Sequence, residues 1–303
     1  MKQSKLLLDP NPQADHFRFA TARVFNWKDA TNDIDWTGGL LLPSDYVPGR
    51  RYPLIVQTHG FKPDRFLLDG PADEGSTAFA AQAFASAGFV VLQIADNLKA
   101  FTEDEREGVL VAEGFHAGIE SLIQQDLAER SQVGLIGFSR TGYQALHLLA
   151  RYPSILAALD LSDSFQAGYV EYVLSATNKL DLAIQYERLT GGSPVAPDVA
   201  GWFRRNPLYA LSKASAAVRL EESGGLAGLG LWETYTVLRQ AQRPVEFVLF
   251  PEGSHVLRKP AERMASQGGN VDWFRFWLQG YEDPVAAKQE QYARWRALRL
   301  QRR

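Results

Sequence analysis

Apolar and polar positions fall in blocks along this chain, and the spacing within blocks switches between strand and helix periods. Arg23-Val24-Phe25-Asn26-Trp27 and Thr37 to Pro43 read as two strands joined by the turn-rich Asp29 to Asp35. Pro48-Gly49 marks a turn. Tyr52 to Thr58 is a β run ending at His59-Gly60-Phe61, and Phe89 to Ile94 is a buried strand. Between them, Thr77 to Ala87 carries a helical apolar face with Gly88 as its stop signal. Ile119, Leu122, Ile123 and Leu127 keep helical spacing, whereas Val133 to Phe138 is uniformly apolar and fits only a buried strand. Tyr143 to Ala150 follows as a helix, then Ile155 to Leu161 as a strand closing on Ser162-Asp163.

From about 164 to 213 the pattern turns helical and aromatic with Pro and Gly breaks, as expected of an inserted cap or a long crossover. Ala216 to Leu220 and Val245 to Phe250 are the last strands, with a helix from Leu231 to Arg243 between them. Trp273, Phe276, Trp277 and Gly280 share one helical face, suited to packing on the sheet. Strands alternating with helices predict an α/β domain, a doubly wound, mostly parallel sheet with helices on both faces and an antiparallel start. The expected division is an extension over 1–20, the domain over 21–283 and a charged C-terminal helix over 284–303. Its final stretch, Glu290 to Arg303, is expected to be solvated or to dock on a missing partner.

Composition narrows this picture a little. An apolar share of 46% supports a sizeable core, and a formal net charge of -3 gives no sign of a nucleic-acid partner or an anionic membrane surface. With no cysteine, disulfides, thiolate metal sites and a cysteine nucleophile are excluded. Leu6-Leu7-Leu8 is too short for a signal-peptide core, and no run reaches membrane-span length. The expectation is a protein of cytoplasm or periplasm, or part of a longer precursor.

The chemistry gathers at Gly137-Phe138-Ser139-Arg140-Thr141-Gly142, where a buried strand meets a serine and a helix follows at once. That is the setting of a nucleophile elbow in an α/β-hydrolase fold, although the second glycine stands one place late and Thr141 takes its usual position. A serine hydroxyl needs a base. Of five histidines, His16 precedes the fold, His116 lies in an irregular stretch before a helix, and His147 lies inside the elbow helix. His59 ends a strand. His255, in the loop after the last strand, fits the chain order serine, acid, histidine. Glu221-Glu222 follow the penultimate strand, so Glu222 is the preferred acid, with Glu221, Asp163 and Glu233 as further candidates. The backbone N–H of Arg140 and one from Gly60 or Phe61 would form the oxyanion hole. Arg140's guanidinium would either meet substrate or make a structural ion pair.

Arg51-Tyr52-Pro53-Leu54-Ile55-Val56, the Gly-Phe-Ser-Arg-Thr elbow, Pro251-Glu252-Gly253-Ser254-His255 and Trp273-Phe274-Arg275-Phe276-Trp277-Leu278 together resemble the catalytic domain of the prolyl oligopeptidase (S9) family. The likeness spans roughly residues 20–283. With Glu282-Asp283-Pro284, it is most similar to the branch holding lasso-peptide isopeptidases, which cleave a bond between a backbone amine and a side-chain carboxylate. The resemblance implies a serine peptidase acting on a small peptide or ester substrate through an acyl-enzyme, with no metal or cofactor. A carboxylesterase and a non-catalytic binding protein of the same fold are the competing readings. The chain departs from the family where apolar Leu226-Ala227-Gly228-Leu229 occupies the neighbourhood of the usual acid, and where Phe61 stands in place of an oxyanion tyrosine. It has no room for the family's N-terminal β-propeller, so the expectation is a fragment or truncated gene that lacks its propeller, or a homo-oligomer.

Overall fold

A strand covered on both faces by helices has no side on which a polar residue gains, and Val133 to Phe138 are accordingly all buried. The computed structural model describes residues 9, 12–59, 61, 80–178, 180–195, 197, 199–225 and 228–301. Its strands are β1 (Ala22–Asp29), β2 (Ile34–Leu41), β3 (Tyr52–Thr58), β4 (Val90–Ile94), β5 (Ala128–Phe138), β6 (Ala158–Ser162), β7 (Ala217–Ser223) and β8 (Val245–Phe250). Among the described residues they form one sheet in the order β1-β2-β4-β3-β5-β6-β7-β8. The first two strands are antiparallel, and β4, β3, β5, β6, β7 and β8 run parallel to one another.

Helices α1 (Ala81–Ser86), α2 (Glu107–Gln124), α3 (Thr141–Arg151), α4 (Tyr169–Asn178), α5 (Leu180–Thr190), α6 (Val199–Arg205), α7 (Gly228–Gln240), α8 (Pro260–Phe274) and α9 (Gln289–Gln301) complete the described elements with short 3₁₀ segments. Alternation along β3 splits the core in two: Leu54 and Val56 point into one hydrophobic cluster and Ile55 into the other. The first cluster takes in α2, α3 and α7, with Phe115, Leu146 and Leu231. The second takes in α1, α8 and α9, with Phe84, Phe274 and Trp295. No helix among the described residues is long and apolar enough to cross a membrane.

Two boundaries differ from the sequence expectation, and a third falls partly outside the described residues. β7 continues to Ser223 because Glu222 and Ser223 pair with Leu249 and Phe250 of β8. α2 begins at Glu107, so His116 sits inside a helix, stacked on Tyr152 at 3.8 Å between ring centroids. The expected helix from Thr77 is described from Ala81 on; residues 77–79 lie outside the described residues.

The charged C-terminal helix is neither fully solvated nor left without a seat. Tyr292 and Trp295 of α9 are buried, and Trp295 packs edge-on to Trp273 with centroids 5.2 Å apart. The Arg299 guanidinium lies 3.6 Å from the Phe276 ring centroid, its stem covering an aromatic surface that α9 would otherwise leave wet. Trp295→Ala removes the largest of these anchors. It should cost about 3–5 kcal/mol in urea unfolding, the usual range for a buried Trp truncation. A loss below about 1 kcal/mol would mean that α9 does not depend on this packing.

Candidate active site

Ser139 stands between β5 and α3 with φ of 53°, in the left-handed region that a residue with a Cβ enters only at some cost. Its own backbone holds it there. The Ser139 N–H donates to the Ser162 carbonyl (3.3 Å), and its carbonyl accepts from Gly142 (3.1 Å) and Phe165 (3.0 Å). Thr141, where a glycine is usual, ties the turn to the strand: its Oγ1 accepts from Phe138 N (3.0 Å) and donates to Phe138 O (2.7 Å). It also accepts a hydrogen bond from Thr58 Oγ1 at 2.7 Å. The displaced glycine still does what an elbow glycine must. A Cβ on Gly137 would stand 3.0 Å from Gly142 Cα, and one on Gly142 would stand 2.3 Å from Ser164 Cβ.

His255 reaches the serine from the loop after β8. Its Nε2 lies 3.0 Å from Ser139 Oγ, and its ring stacks on Phe138 with centroids 4.9 Å apart. Phe138 carries His59 on the same system, at 6.1 Å. Sequence reasoning does not single out Phe138, although its place beside the nucleophile is a signal.

The acid is a correction. His255 Nδ1 lies 2.8 Å from Asp163 Oδ2, so the structure puts Asp163, not the preferred Glu222, against the imidazole. Asp163 follows β6 directly, with φ of 42°, and its N–H donates to the Glu221 carbonyl at 2.7 Å. The sequence expectation puts Glu222 just after the penultimate strand, which it ends at Leu220. It stands instead inside β7, where its Oε1 accepts from the Ser223 N–H at 3.2 Å. Burial pushes the Asp163 carboxyl up, but hydrogen bonds from His255 and Glu222 outweigh it and hold the group below the ordinary carboxylate range. Glu222 is pushed the other way, to about 10, first by burial and then by its hydrogen bond to Asp163 and that group's charge.

Glu221 and Glu233 are engaged elsewhere. Glu221 points to the opposite face of the sheet, paired with buried Arg219 and accepting from Ser266 at 2.5 Å. Glu233 accepts from Val170 N (2.9 Å) and Tyr209 Oη (2.5 Å), which fastens the start of α4 to α7.

Arg140's guanidinium makes the structural ion pair, donating from Nε to buried Glu107 at 2.6 Å and from a second nitrogen to the other oxygen. Its backbone N–H opens the first turn of α3, where amides have no partner within the helix. Phe61 is buried beside the end of β3, and Gly60 lies outside the described residues. His59 Nδ1 is 2.9 Å from Asp96, and His147 is packed in α3, its imidazole pushed down to about 4 by burial. A cavity of about 540 Å³ opens beside Ser139, Asp163 and His255. Phe165, Leu174, Leu182 and Leu231 give it apolar walls; Glu171, Tyr186 and Glu222 supply polar groups.

No family model matches the chain. Lasso peptide isopeptidase AtxE2 of Asticcacaulis excentricus is 28% identical over 320 residues, covering 99% of this chain and 44% of that protein. The solved structure of AtxE2 isopeptidase in its apo form superposes with a TM-score of 0.80 at 25% identity, over 98% of this chain and 46% of the other. The acylamino-acid-releasing enzyme of Sus scrofa is 22% identical over 269 residues, 83% of this chain and 33% of that protein. An acylaminoacyl peptidase of Pyrococcus horikoshii shares the fold, with a TM-score of 0.70 at 20% identity over 93% of this chain and 46% of that one. The chain thus spans less than half the length of the curated relatives it matches. In sequence this chain is similar to the AtxE2 isopeptidase and to acylamino-acid-releasing enzymes, and it shares its fold with AtxE2 and an acylaminoacyl peptidase.

Proposed function

We propose that the chain is the catalytic portion of a serine peptidase that cleaves peptide or isopeptide bonds, with Ser139 as nucleophile, His255 as base and Asp163 as acid. The observation that carries this reading is the unbroken run of contacts from Ser139 Oγ through both nitrogens of His255 to Asp163. Ser139 Oγ attacks the acyl carbon while His255 Nε2 takes its proton. The negative charge that develops on the carbonyl oxygen meets the N–H of Arg140 at the start of α3, with a second donor from Gly60 or Phe61. His255 then returns the proton to the departing amine, leaving an acyl-enzyme that water cleaves by the same steps in reverse roles. Asp163 stays ionised throughout and stabilises the imidazolium.

The exposure of His255 favours a substrate that fills the site. The 56% exposure of the His255 side chain leaves its contacts to the serine and the carboxylate open to competition from water. A bound acyl group in the adjacent cavity would exclude that water, and so would a cover over the mouth. The β-propeller implied by the family resemblance, or a second copy of the chain, would supply such a cover. Peptide substrates are preferred to simple esters because AtxE2 is an isopeptidase and the other relatives are acylaminoacyl peptidases.

A fluorophosphonate tests the reading directly, since it labels only an activated serine. Wild-type protein should be labelled stoichiometrically at Ser139, and Ser139→Ala should remain folded and unlabelled. No labelling of folded wild type would favour the non-catalytic binding protein, and turnover of acyl esters without peptides would favour the esterase. His255→Ala should be nearly as damaging as Ser139→Ala, and the double variant no worse than either, because the pair acts as one unit. Asp163→Asn should lower the rate by about 10²–10⁴-fold with the fold intact, the scale of a neutralised triad acid. A near-normal rate in that variant would remove Asp163 from the triad.

A further inference from the structure

Resting on the hydrolase reading above, we propose that the cavity beside Ser139 receives a long cationic side chain, lysine or arginine, from the acyl part of the substrate, with Glu171 as the carboxylate that selects it. A continuous wall leads there from the nucleophile. The Phe165 N–H donates to the Ser139 carbonyl at 3.0 Å, which sets that residue at the nucleophile's side. The Phe165 ring stacks on Tyr186 with centroids 4.1 Å apart, and the Tyr186 hydroxyl donates to Glu171 Oε1 at 3.0 Å. Leu174, Leu182 and Leu231 add aliphatic surface in the same cavity of about 540 Å³. A long aliphatic stem gains by covering such walls, provided that its charged head is not left without a partner. Here the head meets a carboxylate, with an aromatic surface beside it.

The carboxylate is held in place by neutral donors. The Gln166 N–H donates to Oε2 at 3.0 Å while Tyr186 holds Oε1. Gly230 of α7 lies against the stem, where a Cβ would stand 3.3 Å from Glu171 Cβ. Glu171 is nevertheless partly exposed and lines the cavity, so an arriving cation can reach it. Asp163 from the β6 end and Glu222 from β7 share the cavity with it. Tyr186 comes from α5, and Glu233 of α7 accepts from Val170 N, next to Glu171 in α4. His255, from the loop after β8, is engaged with Asp163 and Ser139. No Lys or Arg lines the cavity among the described residues. Burial accordingly pushes the Glu171 carboxyl up to about 7, as expected of an acid with no counter-ion. A side chain with its own positive charge supplies that counter-ion. An uncharged one leaves it missing, and a carboxylate adds like-charge repulsion, so the pocket discriminates in both directions.

The experiment uses the full chain and diphenyl phosphonate inactivators built on N-acetylated lysine, norleucine and glutamate. Acetylation removes the amino-terminal charge, so the side chain alone differs. Loss of fluorophosphonate-reactive Ser139 gives the inactivation rate. At about pH 8 the lysine reagent should act about 10–100-fold faster than the norleucine reagent, the scale of a hydrogen bond between charged groups, and the glutamate reagent should be the slowest. The lysine-to-norleucine ratio should rise as pH climbs through about 7, because Glu171 ionises there while the lysine ammonium stays charged. Asp163 is ionised below that span and Glu222 keeps its proton to about 10, and titration of His255 acts on both reagents alike and cancels in the ratio. Glu171→Gln should bring the ratio close to one, whatever it does to the rate the two reagents share. A carboxylate that merely fastened its loop would leave the ratio as it is in the wild type. The pH series needs no variant, so it decides even if the Gln protein folds poorly. A wild-type ratio near one, a ratio that does not move with pH, or a Gln variant with the wild-type ratio overturns the proposal. So does a wild type that reacts with fluorophosphonate and with none of the three reagents. A folded wild type that ignores the fluorophosphonate is a different result, because it removes the hydrolase reading itself.

Discussion

The site depends on how closely α3 crosses the end of β5. Ser139 can face the cavity only if the chain turns through a left-handed residue and starts a helix at once. That turn leaves no room for side chains where Gly137 meets Gly142 and where Gly142 meets Ser164. Its conformational cost is offset by the three backbone hydrogen bonds of Ser139 and by the Thr141 hydroxyl, which clasps both polar groups of Phe138. Two of those bonds reach the β6 end, at Ser162 and Phe165. The same bonds that hold the nucleophile therefore also bracket Asp163, and the acid's position follows from the elbow's.

Where residues are buried on both faces, the sequence is readable almost to the residue. The Tyr52–Thr58 strand falls where its apolar run predicts, and so does the half-buried edge strand Val245–Phe250. His255 is legible because a loop after the last parallel strand opens at the carboxyl edge, where an elbow serine must also stand. The acid is not legible, and the reason is β7. Glu221, Glu222 and Ser223 look like polar residues leaving a strand, but pairing with β8 carries the strand through all three. What holds them is distant in sequence: Asp163 for Glu222, and Ser266 together with the nearer Arg219 for Glu221. The C-terminal helix escapes for a related reason. Tyr292 and Trp295 are too few among its charges to form an apolar stripe, yet two large rings seated on Trp273 and Phe276 anchor it.

β7 then settles the electrostatics of the site by simple alternation. Successive side chains leave a strand on opposite faces, so Glu221 and Glu222 meet different worlds one residue apart. On one face, buried Arg219 offsets Glu221 and approaches Asp160, keeping that cluster's charge away from the cavity. On the other face no such cation lies against Glu222 among the described residues; its neighbours are Asp163, Glu171 and Tyr186. The acidic groups of the cavity, Asp163, Glu171 and Glu222, thus gather on one face of β7, one residue away from the Arg219 cluster on the other.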